Sequence, residues 1–199
     1  MSGSAPPAAM TPFQPPLGPQ PAVLQLRHDS TLRMKEKVFS LSGDDFTVTD
    51  ISETPILKVK GKVVSLSGKK TFTDLQGQEL FVLSKKLLKL HPTFTAEAPG
   101  GHNFEVAGKF SFGSSKSVIT FSNFADKASV ELQLKGDWFD RSATIKMGDR
   151  PVAQIQRSFM NVREIFGSKQ TYFVTIAPNV DLSLIAAICV CLDERENEK

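Results

Sequence analysis

Val180-Asp181-Leu182-Ser183-Leu184-Ile185-Ala186-Ala187-Ile188-Cys189-Val190-Cys191-Leu192 (VDLSLIAAICVCL, residues 180–192) is the stretch on which the fold turns. Between Leu182 and Leu192 only Ser183 is polar, and Asp181 stands where a helix N-cap belongs, after the breaker Pro178-Asn179. Two readings are open. As a helix the segment is apolar on every side, and such a helix must be surrounded by protein. As a strand it is a thirteenth, fully buried one, because Ile, Val and Cys suit strands and short apolar runs are ambiguous. Its length and the Ala186-Ala187 pair favour the helix. A bilayer span needs about 20 apolar residues, whereas the run Leu184 to Leu192 has nine, so no transmembrane segment is expected.

Upstream, the hydrophobic period is two. Phe104, Val106, Gly108, Phe110 and Phe112 alternate with Glu105, Ala107, Lys109 and Ser111. Val130, Leu132 and Leu134 alternate with Glu131, Gln133 and Lys135, and Ala143, Ile145 and Met147 with Thr144 and Lys146. This is the pattern of strands with one dry and one wet face. Gly-containing turns punctuate them at Gly43, Gly68, Gly77, Gly100-Gly101, Gly113 and Gly148. The spacing predicts about twelve strands, beginning near Leu32, Phe46, Pro55, Lys70, Glu79, Thr93, His102, Ser117, Ser129, Ser142, Pro151 and Thr171. Between Arg157 and Thr171 the pattern lapses, with a short helical turn over Asn161 to Phe166. A barrel of about twelve strands is too wide for its own side chains to fill, and a helix about 10 Å across would plug it. The expected fold is therefore mainly β: a closed antiparallel barrel around a central, buried, hydrophobic C-terminal α-helix.

The chain divides into a proline-rich arm over 1–22, a barrel domain over 23–194 and a charged tail over 195–199. The arm holds seven of the 12 prolines and no ionisable side chain. It is expected to be disordered, because it offers too little apolar surface to offset its ordering entropy. It could serve as a ligand for a proline-binding protein partner. The 15 Phe against one Trp and one Tyr suit an aromatic interior. Net charge is +3, but residues 193–199 hold four acids and two bases, so the body carries 22 bases and 17 acids. An excess of that size favours anionic surfaces without arguing for nucleic acid.

Cys189 and Cys191 are the two cysteines. On a helix they point roughly 200° apart, so they neither pair nor share a metal. Without a disulfide framework or a secretory signal, the expected location is cytoplasmic, with peripheral attachment to membranes open.

The order of many strands followed by a last apolar helix and an acidic pair resembles the LURP-one-related family. The residues that carry the likeness are Lys35–Asp50 (KEKVFSLSGDDFTVTD), Val59–Gly68 (VKGKVVSLSG) and Gly136–Ile145 (GDWFDRSATI). Gln170–Asp181 (QTYFVTIAPNVD) and Leu184–Glu194 (LIAAICVCLDE) complete them. That family is similar in fold to the Tubby C-terminal domain and to phospholipid scramblases. The resemblance covers Leu24 to Glu194 and implies a twelve-stranded barrel around a central helix. Through the Tubby relatives it also implies phosphoinositide binding by basic surface residues, although no motif here maps onto that site residue by residue. Scramblase-like activity is the more remote implication, since no cysteine cluster or acidic calcium loop is present.

Lys58, Lys60 and Lys62 recur every second residue and so share one strand face. Lys69 and Lys70 follow at the next strand, and Lys85 and Lys86 about a hairpin later. Brought together, these seven would form a cationic patch for a phosphorylated head group; otherwise they are solubilising lysines that protect strand edges. Asp137, Trp138, Asp140 and Arg141 read as turn chemistry with a local ion pair, or as a ligand clamp. His28, His91 and His102 lie in unrelated contexts and give no metal-ligand spacing. No nucleophile elbow or phosphate loop is present, and Asp44-Asp45 belong to a turn. No cofactor, metal or catalytic residue is implied. The expected function is non-enzymatic binding of acidic phospholipid or phosphoinositide head groups. The alternative is a protein-interaction or scaffold domain.

Overall fold

The computed structural model describes residues 10–21, 30–36, 46–61, 68–109, 115–137, 142–156 and 171–197. Twelve strands run in order: β1 (Ser30–Glu36), β2 (Phe46–Asp50), β3 (Pro55–Gly61), β4 (Lys70–Thr73), β5 (Glu79–Lys85) and β6 (Thr93–Glu97). They continue as β7 (Phe104–Lys109), β8 (Ser115–Ser122), β9 (Ser129–Asp137), β10 (Ser142–Met147), β11 (Arg150–Gln156) and β12 (Thr171–Ile176), and end in helix α1 (Leu182–Asn197). Each strand pairs antiparallel with the next, and β12 returns to pair with β1, Leu32 opposite Val174. The sheet is thus a closed up-and-down barrel without a free edge.

Period-two alternation builds the wall as the sequence predicts. Leu57 and Val59, Phe81 and Leu83, Leu132 and Leu134, and Ala143 and Ile145 face inward, while their neighbours face out. Register shifts between Val48 and Thr49, Phe72 and Thr73, and Ile145 and Lys146 bend the sheet toward closure. The inner residues meet α1, whose residues Leu182 to Leu192 are all buried. The helix is therefore the centre of the core.

Because the strands form a meander, their connections alternate between two barrel ends. One end receives the start of α1, together with the turns after β2, β4, β6, β8 and β10. We call it the closed end, because residues 10–21 seat in it. Met10, Phe13 and Leu17 are buried in the same cluster as the helix. Leu17 N–H donates to the Asn179 carbonyl at 2.9 Å, and Asp181 N–H to the Leu17 carbonyl at 2.9 Å. The Asn123 amide receives Gly18 N–H at 2.8 Å and donates to the Pro16 carbonyl at 3.1 Å. The expectation of a disordered arm over 1–22 is corrected for residues 10–21. Three apolar side chains and a set of long-range backbone hydrogen bonds offset the ordering entropy that composition alone predicted to win. Helix α1 continues through Asn197, into the segment 195–199 read as a charged tail.

Asp181 caps the helix as predicted. Its Oδ1 accepts from Ser183 N–H at 2.9 Å, Ser183 Oγ at 2.7 Å and Leu184 N–H at 3.2 Å, and its Oδ2 from Gln20 N–H at 3.1 Å. Burial pushes this carboxyl up from its ordinary range, against the pull of those donors. Gly18 passes so close that a Cβ there would stand 2.2 Å from Asp181 Cβ. Gly18→Ala should therefore lower stability by about 1–3 kcal/mol through overpacking. Asp181→Ala should cost about 2 kcal/mol or more by stranding buried donors. Urea denaturation midpoints check both; unchanged midpoints would mean that the arm is not seated on the cap.

Candidate functional site

The opposite end, where α1 leaves the barrel, is where β3, β5, β7 and β9 finish and β4, β6, β8 and β10 begin. The last residues of the helix are bolted to the wall there. Tyr172 Oη donates to Asp193 Oδ2 at 2.8 Å, Lys70 Nζ lies 2.9 Å from Glu194 Oε1, and Arg195 Nη1 donates to Ser117 Oγ at 2.7 Å. Gly108 leaves room for that arginine: a Cβ on it would stand 3.4 Å from Arg195 Cζ. Three successive helix residues are thus tied to three different strands.

Of the seven lysines proposed from the sequence, four lie toward the exit end on or beside the adjacent strands β3, β4 and β5, and two, Lys58 and Lys70, are turned elsewhere. Lys60 and Lys69 are exposed near the exit end, and Lys86 is exposed in the loop after β5. Lys85 is half-buried at the rim, in step with the inward Phe81 and Leu83. Lys58 leans the other way, its Nζ 3.5 Å from the Leu75 carbonyl in a closed-end turn. Lys70 departs from the surface role expected of it. It shares the inner face of β4 with Phe72, is only 3% exposed and is paired with Glu194, so it fastens the helix. Lys62 lies outside the described residues, as do Trp138, Asp140, Arg141, His28 and the segment 161–166.

A row that was not singled out from the sequence is more regular. Lys109 on β7 is directly opposite Lys116 on β8, which is directly opposite Lys135 on β9. All three are exposed on the outer face. Like charges set directly across from one another on a sheet are unfavourable. The row becomes favourable once an anion lies across it. The alternation already placed Lys109 and Lys135 on wet faces; the missing signal was strand adjacency.

Among the described residues, exposed charge is segregated between the ends. The exit end presents Lys60, Lys69, Lys86, Lys89, Lys109, Lys116 and Lys135. The closed end presents Asp50, Glu53, Asp74, Glu79, Glu97, Asp126 and Asp149, relieved by Lys58, Lys127, Lys146 and Arg150. Asp126 is held below the usual carboxylate range, first by the Asn123 side-chain amide and then by Ala128 N–H. Burial pushes the thiols of Cys189 and Cys191 well up, so both are core residues with little thiolate character. Among the described residues no group of three or more His, Cys, Asp or Glu could hold a metal, and no helix is long and apolar enough to cross a membrane.

The chain is 28% identical over 171 residues to Protein LURP-one-related 15 of Arabidopsis thaliana, covering 81% of this chain and 78% of that protein. It is 26% identical to Protein LURP-one-related 10 of the same plant, covering 84% and 90%. A bacterial relative, Uncharacterized protein YxjI of Bacillus subtilis, is 26% identical over 162 residues, covering 81% and 91%. An X-ray structure of an Arabidopsis thaliana protein superposes with a TM-score of 0.56 at 20% identity, covering 88% of this chain and 96% of that one, which shows the fold. The family model described as LURP-one-related matches residues 30–193, from the first strand to the aspartate that anchors the helix. The barrel, its central helix and these matches agree: the chain belongs to the LURP-one-related family.

Proposed function

We propose that this protein is a non-enzymatic module that binds acidic phospholipid head groups, phosphoinositides among them, with the basic outer surface at the exit end of its barrel. The observation that carries the proposal is the lateral lysine row Lys109–Lys116–Lys135, set at the end of the barrel where the exposed charges of the described residues are basic, those of the other end being mainly acidic. A molecule charged in this way orients in the field of an anionic surface before touching it. The likeness to Tubby-type domains adds the expectation of a phosphorylated ligand.

Vesicle flotation tests this reading. The chain should float with phosphatidylcholine vesicles that contain phosphatidylserine or a phosphoinositide, and remain behind with phosphatidylcholine alone. Raising salt should release it, because the attraction is between exposed charges. Failure to float with any anionic vesicle at low salt would dispose of the proposal.

A further inference from the structure

Three strongly exposed leucines lie on one loop at the exit end. Residues 86–92 join β5 to β6 there, and Leu87, Leu88 and Leu90 are 59%, 100% and 92% exposed. The loop is fastened at its base. Lys86 N–H donates to the Thr93 carbonyl at 2.8 Å, Thr93 Oγ1 to the His91 carbonyl at 3.0 Å, and Gly108 N–H to the Pro92 carbonyl at 2.8 Å. The leucines are held away from the barrel rather than packed on it. Side chains this exposed stand proud of the surface, so the tip presents knobs and no groove. Its natural complement is an apolar phase that deforms around it.

Charge indicates which phase. Lys86 and Lys89 interleave with the leucines, and Lys85 precedes them at the rim. The Gly108 contact sets the loop beside Lys109, the first residue of the lysine row. Lysine stems can lie along apolar surface while their ammonium groups stay in water. Leucines among lysines are thus suited to the boundary between acyl chains and anionic head groups. An acidic, folded protein surface would match the lysines but would not take up knobs exposed on all sides.

We infer that the loop 86–92 is a membrane anchor. Leu88 and Leu90, with Leu87, enter the acyl boundary of an anionic bilayer, while Lys86 and Lys89 remain at phosphate level. The inference rests on the lipid reading above and adds to it a depth of insertion and an orientation, exit end toward the membrane.

Leu88→Cys carrying an environment-sensitive fluorophore tests it in the full chain, since Cys189 and Cys191 are buried and poorly ionised. On vesicles of phosphatidylcholine and phosphatidylserine its emission should shift to the blue and be quenched by lipids brominated on their acyl chains. Replacing Leu87, Leu88 and Leu90 together by Ser should weaken vesicle binding by roughly 100-fold. The thermal midpoint should not change, because these side chains lie outside the core. If the wild type floats while the label stays in water, or the triple variant binds as well as the wild type, the anchor is refuted and lipid binding stands. If the wild type does not float at all, the lipid reading fails and the anchor with it. A blue shift produced by an acidic peptide and not by vesicles assigns the loop to a protein partner and overturns the inference.

Discussion

Ile188→Asp should leave the chain without a cooperative unfolding transition. Ile188 lies in the middle of α1 and is completely buried. An unpaired carboxylate there would lose its hydration with no compensating donor, a cost of several kcal/mol even after relaxation. A domain whose whole stability is on the order of 5–15 kcal/mol does not absorb that. The milder Ile188→Ala removes methylenes from the same place and should cost about 2–5 kcal/mol, according to how far the barrel collapses onto the gap. Leu88→Asp is the control: the same kind of change at a fully exposed leucine should leave the midpoint nearly unchanged. Near-ultraviolet circular dichroism with urea titration reads all three. An Ile188→Asp variant with a wild-type midpoint would mean that the helix is not enclosed.

The second large effect concerns binding and has the opposite sign for stability. Changing Lys109, Lys116 and Lys135 together to Gln should weaken binding to anionic vesicles by roughly 100-fold, from about 1 kcal/mol per lysine near such a surface. The same triple change removes repulsion across the β7–β8 and β8–β9 pairs, so stability should hold or rise slightly. Weaker binding with equal or greater stability separates a ligand surface from a structural one. Lys58→Gln should have little effect, because Lys58 is turned toward the closed end. Equal binding by the triple variant would move the site elsewhere.

The fold was legible because it is written in local periods. Alternation in Val130–Lys135 and Ala143–Met147 fixes which side of the wall each residue faces, and an all-apolar stretch behind Asp181 has nowhere to go but inside. The seating of residues 10–21 was harder to see. Met10, Phe13 and Leu17 are three apolar residues among prolines, and the hydrogen-bond partners of the segment, Asn123 for Gly18, Asn179 for Phe13 and Asp181 for Gln20, are more than a hundred residues away. Lys70 shows the same limit. Strand alternation does put it in step with Phe72, but a buried lysine is acceptable only with a carboxylate, and Glu194 arrives from the far end of the chain. The lysine row needed strand adjacency, and the leucine loop needed the exposure of its side chains. Wet-face residues are readable one strand at a time; surfaces are not.

Hydrogen–deuterium exchange with and without anionic vesicles tests most directly the claim that one end of the barrel docks. The account predicts slowed exchange in the loop 86–92 and at the ends of β7, β8 and β9 around Lys109, Lys116 and Lys135. The closed-end turns at Asp74–Gln78 and Asn123–Ala128 should exchange as they do without lipid. Slowing at the closed-end turns instead, or none anywhere on a chain shown to be vesicle-bound, would contradict it.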